Sequence, residues 1–182
     1  RIFGESRAQE IGPKHTAMPQ DVEWHFIGHL QSNKVRQIVP YVSLIHSIDS
    51  ERLLRCVDDE ARRAGRTTDI LLQLHVAREE TKYGFTLDEC RALADNGIID
   101  SLANVRIRGV MGMATNTDDE TEIHREFHAI RNTFDQLKAS HFDTCPYFDT
   151  VSMGMSHDYR IAIDEGTTMV RIGTTIFGLR EY

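Results

Sequence analysis

The sequence predicts an α/β chain of the TIM-type (β/α)8 barrel class that lacks its first βα unit, so that seven strands are expected. Three observations predict it. Short runs rich in Val and Ile alternate with longer segments of helical period throughout the chain. The order strand, helix, strand demands parallel pairing, and the near-continuous apolar character of 70–76 suits a strand covered on both faces. The count supplies the third: seven strand-like runs are each joined to the next by a helix, with only 174–182 after the last, one short of the eight that close such a barrel. With 182 residues, 40% of them hydrophobic, the chain is long enough for one well-buried domain over 1–182 and too short for two.

The elements follow in order. A strand over 2–5 leads into a helix over 6–16, and a strand over 23–28 into a helix over 32–39. The strand at 43–48 precedes a helix over 51–64, where Ser50 is placed to cap the first turn and Gly65 to end the last. Leu53, Leu54, Val57 and Ala61 line one face of that helix. A strand over 69–76 is followed by a helix over 87–96 that stops at Gly97; a strand over 105–114 is followed by a long helix over 119–140. The strand at 148–153 gives way to a helix over 157–165 ending at Gly166, and 169–173 is the last strand. An open doubly wound sheet also accommodates seven strands, but no G-x-G-x-x-G follows any of them. The chain enters its first strand within two residues of Arg1, which fits a leading unit missing from the front.

Composition narrows the function classes. The net charge of −7, with 21 Lys and Arg scattered among 28 Asp and Glu, disfavours nucleic acid as a partner. No run of 18 apolar residues and no signal-peptide pattern points to a membrane or to secretion. Cys56, Cys90 and Cys145 are odd in number and widely spaced, so neither a disulfide framework nor a zinc knuckle is expected, and a reducing, cytoplasmic setting is. His124 and His128 have metal-ligand spacing, but H-R-E-F-H is not H-E-x-x-H and no third ligand stands out, so no metal site is expected. There is no G-x-S-x-G elbow and no P-loop.

The most informative segment is Asp149-Thr150-Val151-Ser152-Met153-Gly154-Met155-Ser156, followed closely by Met169-Val170-Arg171-Ile172-Gly173-Thr174. Each reads as a strand ending in a turn of small residues. At the C-terminal ends of neighbouring parallel strands, such turns let backbone N–H groups and hydroxyls converge on one phosphate. Phosphate sites in these barrels follow the last two strands. On spacing alone, Ser152, Gly154 and Ser156 serve equally well as a tight turn with an N-cap for the helix entered at His157. Arg171, inside an apolar strand, needs a partner to be buried, and a structural salt bridge would supply one.

Further strings carry a resemblance: Phe3-Gly4-Glu5-Ser6, Trp24-His25-Phe26-Ile27-Gly28-His29-Leu30-Gln31-Ser32-Asn33-Lys34, Arg108-Gly109-Val110-Met111, Ser152-Met153-Gly154-Met155-Ser156, and Arg171-Ile172-Gly173-Thr174-Thr175-Ile176-Phe177-Gly178. Over essentially its whole length the chain resembles the pyridoxal phosphate homeostasis proteins. The resemblance implies a single barrel like the N-terminal domain of alanine racemases, binding pyridoxal 5′-phosphate and acting in vitamin B6 balance without established catalytic turnover. It implies cofactor contacts from Ser6, His25, Ser152, Met153, Gly154, Ser156, Arg171, Gly173 and Thr174, and no catalytic residue. Arg171 is expected to face the pyridine nitrogen; because arginine stays protonated, that nitrogen stays unprotonated, which favours holding the cofactor over carbanion chemistry. Cofactor-dependent enzymes are the candidate recipients. The family's Schiff-base lysine lies on the first barrel strand, before the F-G-E string, and this sequence starts after that point. Ser6 departs from the family's usual Asn.

Among the remaining candidates, His25 alternates with apolar neighbours and is expected to point into the barrel, satisfied there or facing the mouth, while His29 follows at the strand end. Lys34 is expected on the surface. Lys82, in the loop after a barrel strand, is the lysine best placed to meet an aldehyde, though a protonated, solvated side chain is the plainer reading. Met111, Met113, Met153 and Met155 are expected to fill the barrel and its mouth. The competing functions are a racemase-like enzyme on the same scaffold and a carrier of another phosphorylated metabolite. Without a first strand, the edges at 2–5 and 169–172 are expected to invite association.

Overall fold

Seven parallel strands run in chain order through one sheet, with a helix packed outside each crossover. The computed structural model describes residues 1–77 and 83–178. They form β1 (Ile2–Glu5), α1 (Ala8–Ala17), β2 (Glu23–Phe26), α2 (Val35–Ile38), β3 (Leu44–Ile48), α3 (Glu51–Arg63), β4 (Thr68–Gln73), α4 (Leu87–Asp95), β5 (Val105–Met111), α5 (Glu120–His141), β6 (Thr150–Met155), α6 (Tyr159–Asp164), β7 (Met169–Arg171) and α7 (Thr174–Phe177). The sheet is the wall of a TIM-type barrel with seven strands in this chain. β1 and β7 are its two ends, and no pairing joins them among the described residues.

Strand alternation divides the interior. In β4, Ile70 and Leu72 turn outward into the large core beneath the helices, with Leu54, Val57, Phe127 and Ile130. Leu71 between them turns inward to meet Leu44, Met111 and Met169, the apolar filling of the barrel. Met153 belongs to the outer core rather than the barrel, contrary to the expectation that it fills the mouth.

The helix starts follow side-chain chemistry. Ser50 accepts the Leu53 N–H at the head of α3 as expected. Thr86 and Glu89 form a reciprocal capping box on α4, and the Asp119 carboxylate takes the N–H groups of Thr121 and Glu122. Gly65, Gly97 and Gly166 all adopt positive φ at helix ends.

Several boundaries shift for local reasons. β2 stops at Phe26; the Ile27 N–H still donates to the Glu5 carbonyl of β1, and Gly28 lies against Ser6, whose carbonyl would be 2.2 Å from an added Cβ. β4 ends at Gln73, three residues early; the Leu74 N–H still donates to the Met111 carbonyl at 2.7 Å, and Leu74 forms an isolated bridge to Phe85. β5 ends at Met111 rather than at 114. β6 runs two residues further than expected, α6 begins at Tyr159 instead of His157, and α7 was not foreseen as a helix. The approach of β7 to β6 is reinforced by side chains just before it: Thr168 Oγ1 accepts the Val151 N–H at 2.8 Å and Thr167 Oγ1 the Met153 N–H at 3.3 Å. No helix among the described residues is long and apolar enough to cross a membrane.

Candidate anion cradle at the ends of β6 and β7

The turns after the last two strands meet. Ser156, just beyond β6, presents its Oγ to the N–H groups of Gly173 at 3.2 Å and Thr175 at 3.4 Å, at the start of α7. The turn carrying Ser156 is fixed by Asp158, a buried residue whose carboxylate accepts the Met155 N–H. Ser156 therefore does not cap α6; Asp158 occupies the residue before that helix, and its side chain is spent on the turn. Gly173 and Thr174 are exposed, and a Cβ added to Gly173 would meet nothing within 4 Å. Two N–H donors thus already aim at one oxygen beneath open space, which fits the oxygens of a phosphate ester.

Ser152, Met153 and Gly154 are not in this turn, as the sequence suggested; all three lie within β6. Ser152 faces the barrel interior, Met153 the helices. Gly154 has φ +91°, and a Cβ there would come within 2.5 Å of Ala162 Cβ, so its role is close packing of α6 on the strand.

Arg171 enters the barrel from β7. Its Nη1 donates to Ser152 Oγ at 2.7 Å and to the Ser152 carbonyl at 2.9 Å, and Nη2 donates to the Gly112 carbonyl at 3.0 Å. No carboxylate forms an ion pair with it among the described residues, so a salt bridge is not what permits its burial. Burial lowers its pKa to about 10, with the charge of Asp158 opposing, so it stays cationic near neutral pH. Of the five N–H groups of a guanidinium, these bonds use three.

Beyond Ser152 the polar contacts continue. Ser152 Oγ lies 2.9 Å from His46 Nδ1, His46 Nε2 lies 3.0 Å from His25 Nδ1, and His25 Nε2 lies 3.4 Å from Glu23 Oε1. Both imidazoles are buried, and burial is the first cause holding each pKa below its ordinary value; for His46 the shift is large, reinforced by Arg171 and His25. His25 thus points into the barrel as expected, but mid-strand and toward the Glu23 end of β2 rather than at the mouth. The sequence reading missed His46. Its signal was present: a titratable residue on the same strand face as Leu44, inside a buried strand, as with Arg171.

Ser6 sits at the end of β1, where its N–H and that of Arg7 donate to the buried Glu5 carboxylate, itself paired with Lys14. Lys82 lies outside the described residues. A cavity of about 270 Å³ opens at the C-terminal ends of β4 to β6, lined by Gln73, His75, Tyr83, Met113 and Met155 among others. The His29 ring meets that of Tyr83 at a tilt of 45° and lies 3.5 Å from Asp49. His124 and His128 both engage Glu165 through Nδ1, at 2.8 and 3.1 Å, fastening α5 to the end of α6. The thiols are free; burial pushes that of Cys90 up to about 12.

Comparison with known proteins places this geometry. The model of the alanine racemase N-terminal domain matches residues 1–181. The pyridoxal phosphate homeostasis protein of Aquifex aeolicus is 37% identical over all of this chain and 78% of its own length, and that of Escherichia coli K12 is 36% identical over all of this chain and 77% of its length. A solved structure of PipY from Synechococcus elongatus, with pyridoxal phosphate bound, superposes with a TM-score of 0.83 at 34% identity, covering 97% of this chain and 81% of that one. Alanine racemase from Clostridium difficile, at 12% identity and a TM-score of 0.69, shares the fold. The chain belongs to the alanine racemase N-terminal domain family and, within it, to the pyridoxal phosphate homeostasis proteins.

Proposed function

We propose that this protein binds pyridoxal 5′-phosphate and serves its homeostasis, holding and releasing the cofactor without catalytic turnover. The observation that carries the reading is the convergence of the Gly173 and Thr175 N–H groups on Ser156 Oγ beneath open space. In this reading Ser156, Gly173 and Thr174 hold the phosphate, and Arg171, half-buried two residues before Gly173, addresses the ring nitrogen. The bound cofactor supplies an aldehyde and an electron-withdrawing pyridine ring. Arg171 only donates hydrogen bonds, so a ring nitrogen opposite it stays unprotonated and the ring is a weaker electron sink, which suits retention over turnover. Ser152 and His25 act behind Arg171, Met153 and Gly154 seat β6 against the helices outside it, and Ser6 lies at the end of β1. The protein works in the cytoplasm, consistent with its three free cysteines, and cofactor-dependent enzymes are the recipients.

Titration calorimetry with pyridoxal 5′-phosphate and with pyridoxal tests the reading. The phosphate ester should bind on the order of 100-fold more tightly, the worth of two hydrogen bonds to a charged group at roughly 1.5 kcal/mol each. Equal affinities would exclude the cradle.

A further inference from the structure

The contacts behind Arg171 have a single direction. A guanidinium can only donate, so Ser152 Oγ accepts from Nη1 and must send its own hydrogen elsewhere. His46 Nδ1, at 2.9 Å, is the acceptor. A neutral imidazole carries one N–H, so with Nδ1 accepting, the hydrogen sits on Nε2 and is donated to His25 Nδ1 at 3.0 Å. The same step places the His25 hydrogen on Nε2, facing Glu23 Oε1, which as a carboxylate can only accept. The carboxylate end sets the direction for neutral imidazoles, and the guanidinium end, which leaves the Ser152 hydrogen free to be donated, agrees with it.

This arrangement matters because of where Arg171 stands. β7 is three residues long, lies at the end of the sheet order and is paired only with β6. An arginine side chain there has about 2 kcal/mol of rotamer entropy to lose before it can meet a ligand in one orientation. The chain of contacts ties its guanidinium through β6 to β3 and β2.

We propose that the one-way hydrogen-bond chain Arg171–Ser152–His46–His25–Glu23 orients the Arg171 guanidinium toward the ring nitrogen of the cofactor, with His46 as its central positioning residue. The proposal rests on the assignment of Arg171 to the ring nitrogen made above. His46 touches no ligand in this account; it acts through Ser152.

Two measurements test it separately. Side-chain 15N–1H correlation spectra of the ligand-free protein should show His46 and His25 both as Nε2–H tautomers; an Nδ1–H tautomer or an imidazolium at His46 near neutral pH overturns the chain. The second compares pyridoxal 5′-phosphate with its deaza analogue, which has C–H in place of the ring nitrogen. The wild-type protein should prefer the true cofactor; absence of that preference overturns the assignment of Arg171 itself. Where the wild type discriminates, His46→Phe should lose about tenfold in affinity for the cofactor, some 1.4 kcal/mol, and little for the analogue. His46→Asn, whose amide oxygen can accept from Ser152, should recover most of the difference. Equal losses for both ligands, or no loss for either, would show that His46 is core packing and overturn the proposal. If His46→Phe does not fold, the tautomers of the wild-type protein decide.

Discussion

The Gly173 N–H points at Ser156 Oγ across 3.2 Å, and this contact joins the ends of the last two strands. In the proposed site a phosphate oxygen would join this hydroxyl before the same two N–H groups. Gly173 is suited to it by the open space above its Cα rather than by an unusual backbone, since its φ is −117°.

Gly173→Val should therefore fold normally and bind poorly. A side chain in that space blocks approach of the phosphate, and affinity for pyridoxal 5′-phosphate is expected to fall at least about tenfold. Calorimetry and a thermal melt of the same preparation check the two halves; unchanged affinity would remove Gly173 from the site.

Gly154→Ala should do the reverse, harming the fold first. The positive φ and the 2.5 Å approach to Ala162 Cβ make a cost of about 2–4 kcal/mol the expectation. A lower denaturant midpoint reads it directly, and a variant as stable as wild type would mean that α6 packs less closely on β6 than described.

Glu126, 3% exposed, anchors the segment after β5 by accepting the Thr115 N–H at 2.7 Å and the Thr115 hydroxyl at 2.9 Å. Glu126→Ala removes two hydrogen bonds to a buried carboxylate and should cost about 1–3 kcal/mol in urea unfolding, well beyond the effect of an exposed substitution on the same helix.

Acid should weaken the protein well before its carboxylates titrate. His46 is held neutral in the folded state, with a pKa well below its ordinary 6.5, chiefly by burial. Between 6.5 and the lower folded value the unfolded chain binds the extra proton, so stability falls as pH falls through that window. Denaturant midpoints taken from above 6.5 down to about 5 should decline in the wild type and decline less in His46→Gln. A flat wild-type profile would mean that His46 is not the buried neutral group described.

The repeating architecture was legible because each strand and helix carries its own period: β1 occupies the residues expected, and α3 keeps its Ser50 cap and Gly65 stop. What the sequence hid depends on tertiary contact. α7 is a four-residue helix, too short to show a period. Ser156 reads locally as a cap, and only the approach of β7 reveals that its oxygen faces Gly173 and Thr175. Ser152 reads as a turn residue by its small size, yet β6 runs on to Met155, so its hydroxyl ends inside the barrel between Arg171 and His46. His46 passed unnoticed because its partners, Ser152 and His25, are brought together by the barrel and not by sequence spacing.

Where a phosphate sits decides the function of the turns after β6 and β7. A crystal structure of the protein with pyridoxal 5′-phosphate should place a phosphate oxygen within about 2.7–3.2 Å of the Gly173 and Thr175 N–H groups, beside Ser156 Oγ. A phosphate bound elsewhere, with those two N–H groups still turned to Ser156 alone, would contradict it.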